Sequence, residues 1–253
     1  MLNHPTVAKL HTLRLTGMAA ALQEQSAQPD IDRLGFDGRL GLLVDREMTE
    51  RDSRRLHLRL GKARLRQSAC MEDIDYRSAR GLDRTLMATL ATGEWLRLHL
   101  NVLICGPTGV GKSWIACALA NQACRLGFTA SYQRMDRLLT DLHAARGDGR
   151  YAKLLTQIAK TDVLCIDDFG LSPWTDLARR DLLEVLDDRH GSRSTIVTSQ
   201  LPVDHWHAAM GDPTLADAIL DRLVHNSYRI NLKGDSLRKR SAPPLTENTS
   251  IKP

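Results

Sequence analysis

The chain has 253 residues, 42% hydrophobic and 26% charged, and its 35 Lys and Arg against 30 Asp and Glu give a formal net charge of +5. That length suits one α/β domain plus a small second one, and the composition excludes a disordered or fibrous chain. No apolar run is long enough to span a membrane, the N-terminal MLNHPTVAKL lacks the apolar core of a secretory signal, and five scattered cysteines without a C-x-x-C pair read as reduced thiols of a cytoplasmic protein rather than a metal site.

The first 70 residues read as helical. A helix starts at Pro5, and Val7, Leu10, Arg14, Met18 and Ala21 continue a mostly apolar stripe at helical spacing. A break near Gln28–Asp32 precedes a second helix from about Asp37, with Leu40, Leu43, Val44 and Met48 on one face. Thr49-Glu50-Arg51-Asp52 has the form of a capping box, so a third helix is expected to begin there, with Leu56, Leu60 and Ala63 as its apolar face. Arg51, Arg55, Arg59, Lys62 and Arg66 share one face of that helix with few interleaved acids. Such a stripe can lie along a phosphate backbone, or it can be a solvated charged face. Aromatic content of 4% makes base stacking unattractive, so largely sequence-independent contact with duplex DNA fits better. These residues, 1–68, are read as a small all-α N-terminal domain that binds DNA or a partner.

A polar connection containing a short helix, DRTLMATLAT, leads into residues 69–240, where strands and helices alternate. Strands are expected at Asn101–Cys105, Thr129–Gln133, Val163–Ile166, Thr195–Ser199 and Tyr228–Leu232. Helices are expected at Ser113–Leu126, Met135–Ala145, Tyr151–Ala159, Asp176–His190 and Thr214–His225. The alternation predicts an α/β fold, a parallel sheet covered by helices on both faces as a three-layer αβα sandwich. Residues 241–253, with Pro243-Pro244, are expected to be a disordered tail. A second basic region comprises Arg134, Arg137, Arg146, Arg150 and Lys153, again readable as a DNA contact or as a solvated face.

The chemistry concentrates after the first strand. Gly106-Pro107-Thr108-Gly109-Val110-Gly111-Lys112-Ser113 matches G-x-x-x-x-G-K-[ST] at every fixed position, between a strand and a helix. Its backbone N–H groups and the following helix N-terminus would hold phosphates, Lys112 would reach the β- and γ-phosphates, and the Ser113 hydroxyl would ligate Mg²⁺. The strand ending in Asp167-Asp168 delivers two carboxylates to the edge of the sheet where ligands sit. Asp167 would hold the Mg²⁺ shell and Asp168 would polarise the attacking water. Gln200, at the end of the Thr195–Ser199 strand, is the first candidate to orient that water, the alternative being the start of a surface loop. The nearest candidates to hold adenine lie from Tyr76 through Leu82.

Beyond these motifs, the stretches LRLTGMAAAL (13–22), LGLLVDREMTERDSRRL (40–56), GPTGVGKSWIACALA (106–120), IDDFGLSPWTDLARRDLLEVLDDR (166–189), TIVTSQLPVDHW (195–206) and GDPTLADAILDRLVHNSYRINLKGDSLRK (211–239) resemble the IstB-type helper ATPases of insertion sequences. These lie within the DnaC-like initiator and helicase-loader clade of the AAA+ P-loop ATPases. The resemblance implies an ATP-dependent DNA-binding regulator that assembles as a homo-oligomer, with ATP at subunit interfaces, and assists a partner transposase. A replicative helicase loader is the nearest alternative; a small-molecule P-loop kinase and a nucleotide-binding scaffold that never hydrolyses are weaker ones. By the same resemblance Arg222 would be an arginine finger acting on the neighbour's nucleotide, with an intrachain salt bridge as its alternative role. Arg238 would be a sensor arginine in cis, and a helix near Arg134 and Arg137 would line the DNA-facing side of the assembly. Two departures stand out: the chain after Lys239 is too short for the usual helical lid, which is expected to be reduced or absent, and Asp168 stands where many AAA+ proteins have Glu. The shorter acid predicts slow hydrolysis.

Overall fold

The computed structural model describes residues 5–78 and 80–237. They fall into two compact units, Met1–Gly61 and Lys62–Pro253.

The first unit contains α1 (Pro5–Thr12), α2 (Thr16–Ser26) and most of α3 (Phe36–Ala63). The single stripe expected from Val7 to Ala21 is split, because Arg14 takes a positive φ of 60° and turns the chain between α1 and α2. The helix start expected at Thr49 is absent: α3 runs unbroken for 28 residues. No Gly or Pro interrupts residues 42–60, and the Thr49 hydroxyl donates back to the Asp45 carbonyl at 2.8 Å instead of capping. Leu40, Val44 and Met48, expected on one helix face, are exposed.

What α2 lacks in a cap of its own, α3 supplies. Leu15 at its N-cap has no side-chain acceptor, and the buried Glu47 carboxylate instead accepts the N–H groups of Gly17 at 2.8 Å and Met18 at 3.2 Å. The helices approach so closely that a Cβ on Gly17 would lie 2.8 Å from the Glu47 Cα. Burial pushes the Glu47 carboxyl up, but the Arg51 hydrogen bond and these two N–H groups outweigh it, so its pKa falls below the ordinary 4.5. A depressed carboxylate stabilises the fold above its unfolded pKa, and that stabilisation is lost as pH falls through the lower folded value. Glu47→Gln is therefore expected to lower the thermal midpoint at pH 7, with the gap to wild type shrinking towards pH 3. An equal gap at both pH values, followed by circular dichroism, would contradict this role.

The second unit is built on α4 (Arg84–Ala91), α5 (Glu94–Arg97), β1 (Asn101–Cys105), α6 (Lys112–Arg125), β2 (Ala130–Arg134), α7 (Met135–Gly147), α8 (Tyr151–Ala159), β3 (Val163–Phe169), α9 (Asp176–Asp187), β4 (Ser194–Ser199), α10 (Trp206–Met210), α11 (Pro213–Val224) and β5 (Ser227–Asn231). The strands form one sheet in the order β2-β3-β4-β1-β5, and every pairing is parallel. Strand alternation divides its side chains between two faces. Leu103, Leu164, Ile166 and Val197 join a core with α7, α8, α9 and α11. Cys165, two residues before Asp167, lies on the other face near Cys117 and Cys124 of α6. At the N-terminal edge of the sheet, the buried Arg189 donates to the carbonyls of Ile158 and Thr161 at 2.7 Å. Burial brings its pKa down to about 10. No helix among the described residues is long and apolar enough to cross a membrane.

Candidate functional site

The loop between β1 and α6 curls over the C-terminal edge of the sheet. Gly106 has a φ of +151°, and a Cβ there would lie 2.4 Å from the Leu232 carbonyl oxygen, so only glycine fits between the loop and the chain after β5. The Gly106 N–H donates to the Ser199 carbonyl at 3.2 Å, tying the loop to β4. Val110 is buried beneath the turn. Lys112 is the first residue of α6, and its ammonium donates to the carbonyls of Gly106 at 2.8 Å and Pro107 at 2.7 Å. Lys112 and Ser113 line a cavity of about 610 Å³, together with Thr108, Gly109, Asp168 and Gln200. The Thr108 hydroxyl donates to Gln200 Oε1 at 2.8 Å, which holds the end of β4 against the loop.

The two acids occupy different environments although they are neighbours in sequence. Regular alternation would send them to opposite faces of the sheet. The pairing of β3 with β4 shifts register between Ile166 and Phe169, and Asp168 adopts a φ of +62°. This bulge-like irregularity turns Asp168 towards the same cavity that Asp167 approaches from below. Asp167 is fully buried. Its Oδ1 accepts from the Ser113 hydroxyl at 2.8 Å and from the Thr198 hydroxyl. Its Oδ2 accepts from the Tyr132 hydroxyl and lies 3.7 Å from the Arg66 guanidinium. Burial and the Asp167 carboxylate push the Tyr132 phenol far above its ordinary pKa, so it stays protonated, donating to Asp167 and accepting from Arg66. Asp168 faces Arg134, whose Nε donates to it at 3.2 Å, and its backbone N–H donates to Thr198 Oγ1 at 3.2 Å.

A hydroxyl and a carboxylate joined at 2.8 Å at the phosphate loop are hard oxygen donors that suit Mg²⁺, which takes one or two protein ligands plus phosphate oxygens. Among the described residues no group of three or more His, Cys, Asp or Glu could cage a metal unaided.

The remaining expected residues lie elsewhere or in altered roles. Arg222, on α11, pairs with Asp187 of α9 and donates to the Ala218 carbonyl at 2.7 Å, rather than to the neighbouring acids on its own helix. Its backbone carbonyl accepts from the Asn101 side chain at 2.9 Å, which puts it at the N-terminal edge of the sheet, away from the phosphate loop of its own chain. Arg238, the shortened lid and the tail at 241–253 lie outside the described residues. Of the stripe on α3, Arg51 bonds Glu47 at 2.6 Å, Arg55 sits 3.5 Å from Asp52, and Arg59 and Lys62 complete the helical part. Arg66 does not belong to that helix face: α3 ends at Ala63, Arg64 takes a φ of +50°, and Arg66 turns into the cavity. The second basic region is dispersed likewise. Arg134 lines the cavity, Arg146 is held by Asp181 at 2.5 Å, Arg150 pairs with Asp148, and Arg137 is exposed on α7.

Arg66, Arg134, Tyr132 and Thr198 have roles at the site that the sequence did not show. Tyr132 had a findable signal, since in a parallel sheet it stands beside Cys165 on the face that carries Asp167. Arg80 falls between Tyr76 and Leu82, where the adenine contacts are expected. It is buried and donates to the carbonyls of Val110 at 3.1 Å and Asp75 at 3.0 Å, so it clamps the linker to the phosphate loop.

Residues 8–243 match the family of IstB-like ATP binding proteins. The chain is 54% identical over 239 residues to the insertion-sequence ATP-binding protein y4pL of Sinorhizobium fredii, covering 94% of this chain and 98% of that one. It is 55% identical over 203 residues to the ATP-binding protein of insertion sequence IS1162 from Pseudomonas fluorescens, covering 80% and 88%. Among solved structures, the DnaC helicase loader superposes with a TM-score of 0.55 at 17% identity, over 65% of this chain and 97% of that one. Two-thirds of the fold is thus shared with a protein of quite different sequence.

Proposed function

We propose, for a chain that belongs to the IstB-like ATP binding proteins and has the AAA+ fold of DnaC, that it is an ATP-switched regulator of transposition. It assembles as an oligomer on duplex DNA and recruits or activates the transposase of its insertion sequence; ATP hydrolysis dismantles the assembly. The observation that carries the hydrolytic part is the juxtaposition at one cavity of the phosphate loop, Ser113 bonded to the buried Asp167, and a second acid, Asp168, re-aimed by the irregularity in β3. Relatives from insertion sequences that align over 94% and 80% of the chain favour transposition over helicase loading.

Lys112 releases the loop carbonyls and pairs with the β- and γ-phosphates. Ser113 and Asp167 would hold Mg²⁺, which when bound neutralises charge on those phosphates. Asp168 orients and deprotonates the attacking water, with Gln200, held by Thr108, as its neighbour. Arg134 restrains Asp168 through their ion pair. Arg222 leaves Asp187 to stabilise charge on the nucleotide of an adjoining subunit.

For DNA, the exposed cations of α3 and α7 are the candidate surfaces. The charge reversals Arg55→Glu with Arg59→Glu, and separately Arg137→Glu, are expected to weaken ATP-dependent duplex binding roughly tenfold or more at moderate salt and to flatten its salt dependence. Affinity unchanged across several salt concentrations would remove the surface concerned, and duplex binding indifferent to ATP would contradict the switch.

A further inference from the structure

Each acid of the pair is matched to an arginine that lies outside the motifs: Asp168 to Arg134 at 3.2 Å and Asp167 to Arg66 at 3.7 Å. The second pairing is the unusual one, because Asp167 is the group expected to serve the metal. Arg66 comes from the segment after α3, where the backbone of Arg66 and Gln67 lies against Cys117 of α6. Its side chain is about half exposed and lines the same cavity as Lys112 and Ser113. The Tyr132 hydroxyl and the two acids all favour its charged form.

We propose that Arg66 is a nucleotide-binding residue, a built-in cation beside Asp167 that makes nucleotide binding largely independent of divalent metal. The inference rests on the reading of this cavity as the nucleotide site. A phosphate chain entering the cavity without metal meets the buried negative charge of Asp167 behind Ser113. A positive charge beside that carboxylate offsets the repulsion and attracts the phosphates. With Mg²⁺ held by Ser113 and Asp167, a second positive charge adjoining the same carboxylate gains less, since the cations repel each other. Removing Arg66 should therefore harm metal-free binding and spare metal-supported binding. At about 5 Å and an effective dielectric of about 20, one unit charge alters an equilibrium on the order of 100-fold. Partial exposure of Arg66 reduces that to roughly tenfold.

The test is calorimetric titration of the full-length protein with ADP, in EDTA and in excess Mg²⁺, a binding measurement that needs no turnover. Wild type is expected to show Kd values within about threefold of each other. Arg66→Gln is expected to bind at least about tenfold more weakly in EDTA and close to wild type with Mg²⁺, while Arg66→Lys keeps most of the metal-free affinity. Equal weakening of both Kd values in Arg66→Gln would overturn the proposal, as would a wild type that loses more than about tenfold in EDTA. The wild-type ratio decides alone if Arg66→Gln does not fold. A wild type that binds ADP under neither condition would contradict the nucleotide-site reading itself, a result distinct from failure of the Arg66 proposal.

Discussion

Lys112→Ala is expected to abolish ATP binding at micromolar concentrations, and with it any ATP-dependent retention of DNA. The lysine is buried at the mouth of the loop, and its ammonium already spans two of the loop carbonyls, at 2.8 Å and 2.7 Å. In the proposed reading it is therefore preplaced for the phosphates. Losing one member of a desolvated charge pair costs about 2–5 kcal/mol, or on the order of 30- to 5000-fold in affinity. The fold should survive, because Val110 and the β1 strand beneath the loop are untouched. Equilibrium binding of a fluorescent ATP analogue checks this, with thermal melting as the control. Retention of affinity within about threefold would show that the loop does not carry the nucleotide in the way proposed.

Asp168→Asn separates binding from turnover. Asparagine tolerates the left-handed backbone at this position, whose φ is +62°, so the substitution changes charge with little change of geometry. Loss of a general base costs roughly 10²- to 10⁴-fold in rate. The variant also loosens the pairing with Arg134, which stands 3.2 Å away. ATP binding should persist while phosphate release falls by at least about 100-fold, leaving ATP-loaded protein on DNA. Single-turnover phosphate release measures it. Hydrolysis near the wild-type rate would move the base to another residue, and wild-type turnover of many per second without DNA or partner would contradict the expectation of slow hydrolysis.

Both predictions act at a site whose outline is legible in the amino-acid order. Short apolar strands, helices between them and a glycine-rich loop after the first strand determine where the sheet edge and its ligand end must be. The burial of Asp167 against Ser113 follows from that topology. What is not legible depends on the path of single residues. Nothing in IDDFG announces that the pairing of β3 slips by Phe169, yet without that slip Asp168 would face the other layer. Helical spacing places the arginines on one face only where the helix continues. Arg64 breaks that continuity with a φ of +50°, and Arg66 then meets an acid 101 positions later in the chain. Arg134 closes β2 beside Asp167 in the pairing register, so it serves the cavity rather than the basic run around it. Thr49 illustrates the local case: a hydroxyl can cap a helix or bond back into one, and the four-residue pattern alone does not distinguish the two.

The switch is tested most directly by light scattering coupled to size-exclusion chromatography, on the full-length protein with duplex DNA, in ATP or its non-hydrolysable analogue and again in ADP. The account predicts a DNA-bound oligomer with the triphosphate that reverts to smaller species with the diphosphate. Arg222→Ala should bind nucleotide yet hydrolyse it poorly. A protein that stays monomeric in every condition would contradict both the assembly and the role of Arg222 between subunits.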